Sequence, residues 1–282
     1  MAESASGEPL RCEDDQLHLP EIKQHSLEKI RHHNRCAEIF SAAMRKKWPQ
    51  RAYIGLYSGA GRARLKGTDE IVETSALGVL RQKHPFTHYI YVDDDDKCTN
   101  ALKARIANIG MSGLASVICD DVNTSAARVK SLLPSFSKTN GLLSFCFVDP
   151  FDIQFRFETI KQLSTVKLDF LILLMLGNDF RRNFQRYLDD PNSTRVADFI
   201  GCPNWREEFH AAGKKPIKFV LKKFDNAMTN IGYLSAGDEL HPVKVKGMGV
   251  VPYMLALYSK KEIGKKLWRE ARVGLNDQLG LL

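Results

Sequence analysis

Gly141-Leu142-Leu143-Ser144-Phe145-Cys146-Phe147-Val148-Asp149-Pro150-Phe151 is the stretch on which the reading of this chain turns. Residues 141–148 are almost wholly apolar, and an acid and a proline stop them abruptly. The run is too short for a buried helix and has the length of a strand. A strand that is apolar on both faces belongs in a parallel sheet covered by helices on both sides. Such a sheet binds ligands outside the carboxyl ends of its strands, so Asp149, Pro150 and Phe151 stand where chemistry is expected.

The same pattern repeats upstream. Residues 115–119 form an apolar run that ends at Asp120 and Asp121, and residues 87–92 form one that stops at Asp93, Asp94, Asp95 and Asp96. Asp93 to Asp121 is 28 residues, and Asp121 to Asp149 is 28 again. Each interval holds one strand-helix-strand step of roughly 30 residues. Further upstream, residues 52–57 predict a strand that runs into Ser58, Gly59, Ala60 and Gly61. Helical spacing predicts helices over 21–47, 75–83, 98–109, 124–133 and 157–164, with a polar loop over 62–74. Downstream, 169–176 reads as another buried strand. After Gly177 three prolines, Pro191, Pro203 and Pro216, interrupt the pattern. A basic helix over 218–228, two closing strands over 241–245 and 251–259, and a last helix over 261–272 complete the chain.

These elements predict an α/β chain with a Rossmann-like fold. Its seven-stranded sheet is mostly parallel, has helices on both faces and carries an antiparallel edge strand near the C-terminus. Residues 1–20 read as a mobile tail and 21–282 as one domain, with an insertion or cap at about 178–215. No apolar run approaches the ~18 residues of a membrane span. The acidic, polar start has no signal pattern, so a soluble cytoplasmic protein is expected.

The net charge is +8. Basic residues concentrate at 214–223 and 260–272, which suits a polyanionic partner as well as the solvated face of a helix. The six cysteines form no CxxC pair and no zinc spacing, so reduced thiols and no metal are expected. His25, His32, His33 and His84 have no serine elbow or carboxylate partner in view and read as surface residues.

In the turn after the first strand, Gly59 and Gly61 can take positive φ and let backbone approach a ligand closely. An acid at the end of the next strand, here Asp93 with Asp94 beside it, accepts hydrogen bonds from ribose hydroxyls in dinucleotide-type folds. Asp121 can meet an adenine amino group. Asp149 can hold a planar amine, and Phe151 can stack on its ring. A nicotinamide dehydrogenase fits less well, because Arg62-Ala63-Arg64-Leu65-Lys66-Gly67 leads into a polar loop where a helix should begin.

The chain resembles the three-Cys-motif partner proteins, a methyltransferase-like family. The residues that carry the resemblance are Leu56-Tyr57-Ser58-Gly59-Ala60-Gly61, Ser75-Ala76-Leu77, Tyr91-Val92-Asp93 and Phe147-Val148-Asp149-Pro150-Phe151. The resemblance implies S-adenosylmethionine as cofactor, held by Tyr57, Ser58, Gly59, Gly61, Asp93, Asp94 and Asp121. It implies a neighbouring radical-enzyme-like protein with a three-cysteine motif as partner. The Asp-Pro-Phe signature also resembles those of exocyclic-amine methyltransferases that act on nucleic acids, with Asp149, Pro150 and Phe151 at the target amine. Gly55 stands where many methyltransferases carry an acid. The alternative is therefore a scaffold of the same fold whose cofactor site has degraded and which binds the three-Cys-motif protein.

Overall fold

The computed structural model describes residues 7–213, 215–243 and 253–276. In chain order the strands are β1 (Arg11–Cys12), β2 (Glu21–Ile22), β3 (Gln50–Leu56), β4 (Arg62–Leu65), β5 (Ile71–Glu73), β6 (His88–Asp93), β7 (Ala115–Cys119), β8 (Leu142–Val148), β9 (Leu168–Leu174), β10 (His241–Val243) and β11 (Tyr253–Tyr258). The helices are α1 (Ser26–Met44), α2 (Ser75–Gly78), α3 (Asp96–Asn108), α4 (Ala126–Ser131), α5 (Phe157–Leu163), α6 (Asn178–Asp189), α7 (Arg195–Ile200), α8 (Trp205–Ala212), α9 (Pro216–Asn230) and α10 (Glu262–Asn276).

Seven strands form the main sheet in the order β10-β11-β9-β8-β3-β6-β7. β3, β6, β7, β8 and β9 run parallel, and β11 is antiparallel to both of its neighbours. The winding goes outward from β3 through β6 to β7, then restarts at β8 on the other side. A reversed strand slots in before the last. That is the Rossmann-like methyltransferase fold. The expected antiparallel pair stands at the sheet edge, and the reversed strand is the inner member of it. The order reverses between β3 and β8, which puts the ligand crevice outside their carboxyl ends.

The pleat sends alternate residues to opposite faces, and both faces are dry. Ile54, Leu56, Ile90, Val92, Cys146, Val148, Phe170 and Ile172 share one core with side chains of α4, α5, α7 and α9. Tyr53, Tyr91, Phe145, Phe147, Leu171 and Leu173 share the other with side chains of α1, α3 and α10. All seven residues of β9 are buried, which is why its sequence shows no alternation. Phe180 and Phe184 on α6, Phe199 on α7 and Trp205 on α8 join the first core. The segment expected as an insertion or cap is thus a covering layer of the domain. Among the described residues, no helix is long and apolar enough to cross a membrane.

Three expectations are corrected. Of the tail expected to be mobile, residues 7–20 are tied down. β1 pairs with β5 and β2 with β4, in a four-stranded sheet of order β1-β5-β4-β2. The polar loop over 62–74 is the hairpin β4–β5 at the centre of that sheet. Arg62-Ala63-Arg64-Leu65 alternates half-buried and buried, but two arginines on so short a strand hide the period. His32 and His33, read as surface residues, are buried in α1. Burial lowers both to a pKa of about 3, so they are neutral at physiological pH.

Candidate active site

The carboxyl ends of β3, β6, β7 and β8 lie level and are laced together. Leu56 pairs with both Val92 and Val148, and Asp93 pairs with Cys119. Beyond the strands the ladder continues. Ser58 N donates to Val92 O at 3.0 Å, Asp120 N to Asp93 O at 3.1 Å and Asp149 N to Leu56 O at 3.3 Å. The four motifs that the sequence places at strand ends therefore form one row along one edge.

In that row the glycine turn and the acid touch directly. Gly59 N donates to Asp93 Oδ2 at 2.7 Å, and Asp95 N donates to Oδ1 at 3.1 Å. Burial pushes the Asp93 carboxyl up, and the two backbone N–H groups oppose that rise. Gly59 has φ +63° and open space where a side chain would project, which is a cradle for a ligand. Gly61 differs. At φ +83° its Cβ would stand 2.8 Å from Leu102 and 2.9 Å from Leu77, so it lets the turn pack on the core.

Tyr57 also takes a left-handed conformation, φ +61°, which is uncommon for a bulky residue. Its ring meets Phe155 edge-on at 6.2 Å between centroids. Its hydroxyl is buried and makes no well-formed hydrogen bond, with the Asn123 side chain as its polar neighbour. Burial raises its pKa, and the charges of Asp121, Asp152 and Asp94 raise it further. An orphaned buried hydroxyl at a strained backbone position on a ligand crevice is the mark of a residue awaiting a partner.

The other sequence-derived residues are less uniform. Asp121 is exposed, and its Oδ1 accepts Asn123 N at 2.8 Å, closing its own turn. Asp94 is exposed on the same edge. Ser58 is buried, and its hydroxyl donates to Val92 O at 3.2 Å. Pro150 is buried, whereas Phe151 is 85% exposed, with its ring presented to solvent two residues past Asp149. Gly55 has a packing reason: a Cβ there would lie 3.1 Å from Tyr91 and 3.2 Å from Tyr53. Those rings fill the space that a side chain at position 55 would take.

Sequence reasoning missed Lys29. From the first turn of α1, its Nζ sits 2.9 Å from Asp149 Oδ1 and 2.7 Å from Oδ2. An ammonium thus occupies the position in which a planar amine would be held. Nothing local marks Lys29, because 120 residues separate the pair. Buried against the same core, His33 Nε2 and Tyr53 Oη are 2.9 Å apart.

Also missed were three arginines on α6, which begins just beyond the carboxyl end of β9. Arg181, Arg182 and Arg186 are exposed and form no ion pair among the described residues. The basic clusters expected from sequence are more occupied. Lys260 donates to Ser164 O, Lys265 donates to Ser235 O, and Arg269 pairs with Glu239. Because β11 is reversed, Lys260 lies at the sheet edge opposite Asp149. Lys215, just before α9, and Lys218 and Lys222 on it are exposed, while Lys223 pairs with Glu208; Lys214 lies outside the described residues.

No protein-family model and no curated protein sequence matches the chain. Solved structures with a related path exist. One is a candidate O-methyltransferase from Nostoc punctiforme, with 9% identity and TM-score 0.39, covering 83% of this chain and 58% of that one. The chain therefore spans a little over half of that protein. Another is the geranyl diphosphate C-methyltransferase of Streptomyces coelicolor, with 10% identity, TM-score 0.39 and coverage of 83% and 81%. The N-terminal domain of EvdMO1, with S-adenosylhomocysteine bound, gives 9% identity, TM-score 0.42 and coverage of 80% and 81%. These superpositions are too distant to carry an argument about chemistry, and the fold assignment stands on strand order.

Proposed function

We propose that this chain is an S-adenosylmethionine-dependent methyltransferase whose acceptor is an exocyclic amine of a nucleic acid. The observation that carries the reading is the laced edge. It sets the open turn at Gly59, bonded to a buried acid, on one side of the switch point and Asp149 with an exposed aromatic ring on the other.

The residues present fit the cofactor. Gly59 leaves room for close approach, Asp93 can hold a ribose diol, and the Tyr57 hydroxyl lacks a partner. Ser58, Gly61, Asp94 and Asp121 complete the turn and the rim. When bound, the cofactor supplies an electrophilic methyl group on a sulfonium. The chain's residues do the rest. Asp149 accepts a hydrogen bond from the acceptor amine once Lys29 yields one carboxylate oxygen, and Phe151 stacks on the base. The nitrogen would take the methyl group as the carbon–sulfur bond of the sulfonium breaks to leave a thioether, and would give its proton to the Asp149 carboxylate. Methyl transfer needs mainly positioning of this kind. The free arginines of α6 and the lysines of α9 would track phosphates, and a duplex target would be flipped out at a cost of a few kcal/mol.

The test is incubation of the full chain with tritiated methyl donor and total RNA or DNA, together with calorimetry of donor binding. Label in nucleic acid supports the proposal; label in neither pool removes the nucleic-acid target. The packed Gly55 favours a second reading, a scaffold for a three-Cys-motif partner protein. Absence of donor binding at millimolar concentration would select it.

Tyr57→Phe separates ligand contact from folding. Removing an unsatisfied buried hydroxyl should leave the free protein equally stable or up to about 1 kcal/mol more stable. The same change should weaken donor binding about five- to tenfold, because the hydroxyl finds its partner in the ligand. Paired thermal-melt and calorimetric titrations read both signs. Unchanged affinity would remove Tyr57 from the cofactor site.

A further inference from the structure

We propose that His18, Asp95 and Cys98 form a zinc-type metal site that clips the N-terminal segment onto the helix beside the glycine turn. One ligand atom from each residue lies within 4.8 Å of the other two. Tetrahedral zinc ligands at ~2.0–2.3 Å from the metal stand roughly 3.5 Å apart. Closing the set therefore takes about 1 Å of side-chain movement, and His18 is exposed and free to turn.

The backbone around the set is already held. Arg105 Nη1 donates to His18 O at 3.1 Å and to Ala60 O at 2.7 Å. Leu17 packs against Ala60, Cys98 and Ala101. Asp95 caps α3 by accepting Lys97 N and Cys98 N at Oδ1, which leaves Oδ2 for a metal.

The charge around the set is negative. Asp93, Asp94, Asp95 and Asp96 are consecutive acids, yet among the described residues no lysine or arginine forms an ion pair with any of them. His18 is the nitrogen ligand that this concentration of negative charge faces. A mixed sulfur, nitrogen and carboxylate set suits Zn²⁺ over Mg²⁺ or Ca²⁺, with water as the fourth ligand. On binding, the Cys98 thiol gives its proton to solvent and its sulfur bonds the metal as thiolate. Because binding releases that proton, affinity should rise with pH.

The sequence shows no zinc spacing because the three ligands come from two separate segments, brought together by the small sheet and Arg105. Occupancy would fasten residues 7–22 over the turn at Gly59–Gly61.

Co²⁺ titration of metal-stripped full-length protein tests the site without reference to methyl transfer. A thiolate-to-cobalt charge-transfer band with tetrahedral d–d absorption should grow to one equivalent, and Zn²⁺ should displace it. Cys98→Ser should abolish the band. His18→Ala and Asp95→Asn should weaken binding at least tenfold, the asparagine keeping the helix cap. Cys119→Ser, which alters an exposed thiol outside the set, should leave the band intact. No band in the wild type, or one that survives Cys98→Ser, overturns the proposal. Should Cys98→Ser fail to fold, the exposed His18→Ala decides: cobalt affinity equal to wild type overturns the site as well.

Discussion

Asp149→Ala should lower the rate of methyl transfer at least a hundredfold while leaving donor affinity within a few fold of wild type. The reason is geometric. Asp149 is the carboxylate at the end of β8, across the switch point from the turn at Gly59, and its backbone N–H is fixed to Leu56 O. Its side chain is the natural acceptor for an amine brought to that crevice. A group that positions an amine and takes its proton contributes typically 10²–10⁴-fold. Gly59 and Asp93, which are proposed to bind the donor, lie on the neighbouring strand ends and keep their mutual hydrogen bond. Single-turnover transfer with labelled donor, set beside calorimetry, separates the two effects. Lys29 loses its partner in the variant, but its side chain is 18% exposed and can move to water. The stability cost should accordingly be small. A variant that transfers methyl at the wild-type rate removes Asp149 from the chemistry and leaves its ion pair with Lys29 as a structural tie.

The largest stability effect should come from Arg105→Met. Arg105 is 2% exposed and spends its donors on one task. Nε and Nη2 grip the two oxygens of Asp15 at 2.8 and 2.7 Å, and Nη1 reaches His18 O and Ala60 O. One guanidinium thereby ties the N-terminal segment to the glycine turn. Asp15 keeps Arg62 at 3.1 Å, but the carbonyls of His18 and Ala60 lose their donor, and a buried acceptor left unsatisfied costs about 1–3 kcal/mol. The pH dependence identifies the cause. The hydrogen bond from Arg105 is the main reason that Asp15 titrates at about 2, below its ordinary 3.8. A carboxyl lowered by folding contributes stability that is complete above its unfolded value and is lost as pH falls through its folded value. The gap between wild type and variant should therefore be full at pH 5 and should narrow between about pH 4 and pH 2. Urea unfolding across that range measures it. A gap that stays constant would mean that Arg105 stabilises without its ion pair to Asp15, through packing and its two carbonyl bonds.

The legible part of the fold is the part in which local composition and tertiary environment agree. β8 and β9 are buried on both faces, so their composition alone marks them as central parallel strands. The acids that terminate β6, β7 and β8 are polar residues directly after apolar runs, and each appears at its strand end. The small sheet was illegible because its strands are two to four residues long and built around arginines. Each is extended only because the others are present. The buried histidines were misread because α1 covers the sheet with polar residues on its inner face, and His33 is matched there by the Tyr53 hydroxyl.

By itself, then, the sequence determined the parallel sheet, the crevice-side identity of Gly59, Asp93, Asp121 and Asp149, and the regular step between the acids. All of these follow from hydrophobic runs and from residues adjacent along the chain. Tertiary structure alone decided that Lys29 faces Asp149, that Arg105 draws Asp15 and His18 to the glycine turn, that Gly55 is walled in by two tyrosines, and that the C-terminal basic cluster begins at the far edge. Each of these joins groups remote in sequence. An ion pair or a buried hydrogen bond depends on distance and burial, and neither quantity exists until the chain has closed on itself.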